Sequence, residues 1–142
     1  VVQDGTTVRW ADATLKADGE VAKAAVCQTV HALEFIDPVL KTDRDLIMEA
    51  IHQSASIALQ WAHESIRADK EIVTKAMEMS VCAGRFIDPC LAADREFMIE
   101  MIRRDWRALE YADASLKICG DVVIEAIFQS VEAIRLAGPS LK

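Results

Sequence analysis

The sequence predicts an all-α fold, a right- or left-handed solenoid of tandem helical hairpins that repeat about every 25 residues. Three observations predict it. A capping residue recurs as Asp18, Asp43, Asp69 and Asp94, with Cys119 in the fifth place. Each is followed by four apolar residues at helical spacing, and alternation by two, the mark of a strand, is not obeyed. A second, shorter apolar set then follows a polar corner. The resulting boundaries are a partial repeat over 1–17 and repeats over 18–42, 43–68, 69–93, 94–118 and 119–142, read as one array over 1–142.

The first set defines helix A. It comprises Val21, Ala22, Ala25 and Val26; Leu46, Ile47, Ala50 and Ile51; Ile72, Val73, Ala76 and Met77; Phe97, Met98, Met101 and Ile102; and Val122, Val123, Ala126 and Ile127. Spacings of one, four and five residues put each quartet on one helical face. Asp at the opening position suits an N-cap, and Glu20, Asp45, Glu71 and Glu96 fall in the first turn, where a carboxylate favours the helix dipole. Lys23, Glu49, Lys75, Glu100 and Glu125 are then expected on the outer, solvated side.

Helix B carries the second set: Ala32, Leu33, Phe35 and Ile36 in the first repeat, and Ala108, Leu109, Tyr111 and Ala112 in the fourth. The second repeat has one inserted residue and then Ala58, Leu59, Trp61 and Ala62. Helix B should end near Asp37-Pro38, Asp88-Pro89 and Gly138-Pro139, because a residue before proline is pushed out of helical conformation. Leu15, Leu40, Ile66, Leu91, Leu116 and Leu141 recur in the following turn and read as a plug beneath each hairpin. The same register matches Val8, Trp10 and Ala11 to helix B, and Gln3 to Gln28, Gln53 and Gln129. The 142 residues are therefore expected to be part of a longer array, with upstream and downstream repeats of the same chain as neighbours. A lone hairpin buries too little apolar surface to offset its ordering entropy, so each repeat must stack on the next.

The phrases Asp94-Arg95-Glu96 followed by an apolar pair, then Ala108-Leu109-Glu110-Tyr111-Ala112 and Leu116-Lys117, resemble the tandem repeats of the domain-of-unknown-function family numbered 4116. The resemblance covers essentially the whole chain. It implies no catalytic residue, since none is assigned in that family. The family's frequency in algae implies one specific expectation, an accessory subunit of an organellar, photosynthetic complex, peripheral to the membrane. The chain departs from the family at the corner between helices. Thr29-Val30, Ser54-Ala55, Ser80-Val81, Asp105-Trp106 and Ser130-Val131 stand where Asn-Gly is typical, so the corner is expected to be less sharply specified.

Composition narrows the chemistry. Hydrophobic residues make up 52% and charged residues 27% of the chain, as in a soluble globular protein. A net charge of −7 repels a polyanion and argues against nucleic-acid binding. Charges recur too often for a membrane-spanning run. Cys27, Cys82, Cys90 and Cys119 lack the spacing of a zinc or redox motif and are expected as free, packed thiols in a reducing compartment such as the cytosol or an organelle matrix or stroma. His31, His52 and His63 do not form a metal-binding helix pattern, so no metal, cofactor or enzymatic activity is expected. The least repeat-like stretch is Arg103-Arg104-Asp105-Trp106-Arg107. Trp106 shares the register of Val30, Val81 and Val131, an inward corner position; were the corner exposed, Trp and Arg are the types most enriched at interface hot spots. Arg103, Arg104, Trp106 and Arg107 are thus the expected partner-binding residues. Contacts should concentrate on the corners and the helix B face, with His31 and Glu132 alongside. The functional expectation is a non-catalytic protein–protein interaction module or accessory subunit; the alternative is a regulatory repeat segment of a larger enzyme or effector.

Overall fold

Each helix A begins on the residue that the repeat register marks, because a side-chain acceptor stands where the first backbone N–H groups need one. In the computed structural model, which describes residues 18–137, Asp18, Asp43, Asp69 and Asp94 are all N-caps, and their Oδ1 atoms accept from N–H groups two or three residues on. Cys119 occupies the fifth cap without a side-chain bond, since a thiol is a weak acceptor. Every regular segment among the described residues is helical. The expectations at Gln3, Val8, Trp10, Ala11, Leu15, Gly138-Pro139 and Leu141 lie outside them.

The chain packs as two compact units divided between Phe86 and Ile87. The first contains α1 (Gly19–Gln28), the 3₁₀ segments Val30–Glu34 and Leu40–Thr42, α2 (Arg44–Gln53), α3 (Ala55–Trp61), α4 (Glu64–Arg67), α5 (Lys70–Met79) and the 3₁₀ segment Val81–Phe86. The second contains α6 (Pro89–Ala92), α7 (Arg95–Arg104), the 3₁₀ segment Trp106–Tyr111, α8 (Ala114–Lys117), α9 (Gly120–Gln129) and the 3₁₀ segment Val131–Arg135.

Two features differ from the hairpin that the sequence predicts. Helix B is a tight 3₁₀ segment everywhere except in the second repeat, whose extra residue accompanies a regular α-helix, α3. The turn holding the plug is itself a short helix. Asp88-Pro89 opens α6 as well as ending what precedes it, because the extended conformation forced on a residue before proline is also that of an N-cap, and proline at the first helical position forfeits no hydrogen bond. His63 and Asp113 cap α4 and α8 in the same way, each accepting from the N–H two residues on.

The corner from A to B is sharply set without glycine. Thr29, Ser54, Ser80, Asp105 and Ser130 are extended, with φ of −154°, −158°, −155°, −151° and −154°. Each closes the last turn of helix A through its own N–H, onto Ala25, Ala50, Ala76, Met101 and Ala126. Thr29, Asp105 and Ser130 then cap helix B with their side chains. A residue that is extended and carries a short acceptor performs both tasks, which is the physical reason a left-handed glycine is dispensable here.

The helix A quartets form the core. All are buried except Val21 and Ile127, which are half-buried at its edges. Ile66, Leu91 and Leu116 are buried plugs, and Leu40 is half-buried. Of the outward positions, Lys23, Lys75 and Glu100 are exposed, while Glu49 and Glu125 are half-buried. Neighbouring A helices pack on one another, α1 on α2, α2 on α5, and α7 on α9. Polar ties reinforce this stacking. Gln53 donates from Nε2 to the Val26 carbonyl, and Gln129 Nε2 donates to the Ile102 carbonyl at 2.6 Å. Both carbonyls lie in the last turn of a helix, where no intrahelical donor reaches them. Arg44 reaches Asp69 and Glu71 of the next repeat at 2.8 and 2.6 Å, and Arg95 reaches Asp121 at 2.5 Å. The N–H of His63 bonds the Lys41 carbonyl at 3.2 Å, and that of Asp113 bonds the Ala92 carbonyl at 2.8 Å.

A candidate interaction groove at the fourth corner

Asp105 organises the fourth corner. Its carboxylate accepts from the Arg107 backbone N–H at 3.0 Å and from the Arg107 guanidinium, Nη2 lying 2.6 Å from Oδ2. Hydrogen bonding to that guanidinium holds the Asp105 carboxyl below the usual carboxylate range, against the opposing effect of partial burial. The pairing folds Arg107 back along the start of its 3₁₀ segment. On the other side of the corner the Trp106 N–H, an orphan of a helix start, donates to Gln129 Oε1 at 3.0 Å. Gln129 thus closes two backbone groups of the preceding repeat with one amide.

The 3₁₀ segments Trp106–Tyr111 and Val131–Arg135 pack on each other. Three residues per turn aligns Arg107 with Glu110 on one segment and Glu132 with Arg135 on the other. Together with Trp106 and Leu136, these four line an open groove of about 230 Å³. Each wall brings one acid and one base, so the groove has no net formal charge. Trp106 is half-buried and Leu136 likewise, leaving apolar surface between the charged rows.

Of the residues singled out from the sequence, Trp106, Arg107 and Glu132 come together here. Arg103 and Arg104 do not line the groove. Arg103 bonds Glu125 at 2.8 Å, a contact that pushes its guanidinium pKa further up, and Arg104 bonds Glu100 at 3.0 Å along α7. Sequence reasoning missed Glu110, Arg135 and Leu136 as groove residues. The signal was the three-residue period of helix B, concealed by the expectation of a regular α-helix. Nor is the Trp106 register inward throughout: Val30 is 6% exposed and Val131 75%. Trp106 and Val81 lie between these extremes, both half-buried.

The remaining candidates are dispersed. His31, His52 and His63 are exposed, and no group of His, Cys, Asp and Glu that could hold a metal ion occurs among the described residues. The four cysteines are free, as expected, but not packed: Cys27, Cys82 and Cys90 are exposed and Cys119 is half-buried. They occupy helix surfaces and a cap, outside the apolar quartets. Asp88, which hydrogen-bonds the Cys90 thiol, raises its pKa and so disfavours the nucleophilic thiolate. No helix among the described residues is long and apolar enough to cross a membrane.

A family model for a domain of unknown function, DUF4116, matches residues 18–57, 43–91 and 94–142. The chain belongs to the DUF4116 family. The first two matched segments overlap over 43–57, and each of the three begins on an N-cap aspartate, Asp18, Asp43 or Asp94. DUF4116 repeats in this chain therefore contain three helical segments each, A, B and the short plug helix, in every repeat described in full. No curated protein and no solved structure matches the chain.

Proposed function

We propose that this DUF4116 chain is a non-catalytic protein interaction module that engages a protein partner through the groove at its fourth corner. The observation that carries this is the groove's composition. Trp106 and Leu136 offer apolar surface between paired rows of arginine and glutamate, and Trp and Arg are the residue types that dominate interface energetics. Balanced charge on both walls favours a partner segment that presents both signs, with register fixed by charge matching. A solenoid is the architecture this reading expects, and the A-on-A helix packing inside each unit supports it.

The test is quantitative capture from an extract of the source organism on immobilised chain, comparing the wild type with Trp106→Ala and with Arg107→Ala/Arg135→Ala. A protein retained by the wild type and reduced at least about tenfold by both variants, at unchanged helicity, is the expected result. Equal retention by all three, or no specific protein retained, counts against the proposal.

A further inference from the structure

Every corner opens one helical hydrogen bond. A carbonyl in the last turn of helix A and the first N–H of helix B stand four residues apart, the spacing of an α-helical bond, but the extended residue between them separates the two groups. At the fourth corner the pair is the Ile102 carbonyl and the Trp106 N–H. The Gln129 carboxamide bridges it, donating from Nε2 at 2.6 Å and accepting at Oε1 from the N–H at 3.0 Å. At the first corner the Gln53 amide donates to the Val26 carbonyl in the same way. At the second corner the pair is the Ile51 carbonyl and the Ala55 N–H, and nothing among the described residues bonds either group. The Ser54 side chain makes no capping bond there. Ile51 and Ala55 are 0% and 4% exposed, and with Ser54, Ser56, Met79 and Ser80 they line an open groove of about 240 Å³.

We infer that this groove takes the side-chain carboxamide of a glutamine carried by a partner protein, its NH2 on the Ile51 carbonyl and its oxygen on the Ala55 N–H. The chain itself supplies the template, because the same backbone positions hold a glutamine amide at the first and fourth corners. The residue in that register here is Met79, which can make neither bond. The geometry is selective for a primary carboxamide. Such a group presents donor and acceptor on one edge, as Gln129 does, whereas a trans peptide amide points its N–H and C=O in opposite directions and a carboxylate only accepts. Both amides seen in this position are borne on a polypeptide, and the groove is open, so a residue projecting from a partner's surface enters it. The groove lies between the second and third repeats, inside the first unit, with folded chain on both sides. The inference does not rest on the groove at the fourth corner.

Amide NMR shifts of the isotope-labelled chain test this on titration with propionamide, sodium propionate, and the capped peptides acetyl-Ala-Gln-Ala-methylamide and acetyl-Ala-Glu-Ala-methylamide. The Ala55 N–H should shift saturably with the glutamine peptide and with propionamide. It should respond at least about tenfold more weakly to the glutamate peptide and to propionate, which lack the donor. The Trp106 N–H, already bonded to Gln129, should not respond to any of them. Gln129→Met should make the Trp106 N–H respond to propionamide as Ala55 does. An Ala55 N–H that ignores the glutamine peptide would overturn the inference, as would one that answers the free amide alone. Equal response to the glutamine and glutamate peptides, or a Trp106 N–H that stays silent in Gln129→Met, would overturn it too.

Discussion

The corner at Asp105-Trp106 and the corner at Ser54-Ala55 turn on the same kind of extended residue, with φ of −151° and −158°, lead into a 3₁₀ segment and into α3 respectively, and are closed differently. Over the first lies Gln129, which donates to the Ile102 carbonyl and accepts from the Trp106 N–H. The residue in the register of Gln129 that belongs to the second is Met79, 47% exposed and unable to make either bond. There an open groove of about 240 Å³ remains, lined by Ile51, Gln53, Ser54, Ala55, Ser56, Met79 and Ser80. Both corners carry an open groove, but at the fourth it lies beside the two 3₁₀ segments, whereas at the second it reaches the corner residue and the end of the preceding helix A; repeat register decides which residue lies over a corner, and the chemistry of that residue decides whether the backbone groups there are bonded.

The largest effect should come from beneath the two corners. Ile51 and Ile102 share one register and are both 0% exposed, so truncation of either to Ala should cost about 2–5 kcal/mol. Beside the open junction the surroundings can close over the cavity, so Ile51→Ala should fall in the lower half of that range and Ile102→Ala in the upper half. Urea denaturation of the two variants compares them directly, and equal costs would break the contrast. Next in size is the seal itself. Gln129→Met leaves two backbone groups without their side-chain partner and should destabilise the second unit by about 1–1.5 kcal/mol, read as faster amide exchange of the Trp106 N–H and a lower denaturation midpoint. Its converse, Met79→Gln, should stabilise the first unit by about 0.5–1 kcal/mol if the register alone brings the amide within reach. A neutral or destabilising Met79→Gln would mean that the Ser54 corner is held open by something other than the missing amide.

The smallest effect is on pH. Ser54 does not titrate, whereas Asp105 is held below the usual carboxylate range by its bond to Arg107. A carboxyl whose folded pKa is depressed stabilises the fold fully above its unfolded value of about 3.9 and loses that contribution as pH falls through the lower folded value. Trp106 fluorescence should therefore report loosening of the fourth corner only below about pH 4. Asp105→Asn should remove that transition, and a transition of equal size in Asp105→Asn would assign it elsewhere.

Much of this architecture was legible in the chain. The N-cap aspartates, the buried quartets and the plugs at Ile66, Leu91 and Leu116 follow from spacing and side-chain chemistry, because a capping acceptor and an apolar stripe act within a few residues of one another. The candidate site was legible in part. Trp106 and Arg107 stood out by type, while Arg103 and Arg104 stood out equally and lie outside the groove, on the surface beside Glu125 and Glu100. Glu110 and Arg135 gave no signal until the 3₁₀ period aligned them.

Sequence alone settles where each helix A starts and which face it buries, and the Ser, Thr and Asp corners show that it settles the turn into helix B as well, although the absence of glycine concealed this. It does not settle cover. Val30 and Val131 are the same residue in the same register, and one is buried while the other is exposed, because the neighbour that shields Val30 has no counterpart over Val131 among the described residues. Nor does it settle whether Gln129 is a surface polar residue or the clasp of a junction, since that depends on a carbonyl 27 residues away reaching its amide. Local chemistry acts over one turn of helix and is written in the spacing. Burial and cross-repeat hydrogen bonds depend on which surfaces meet, and the folded repeats alone bring those surfaces together.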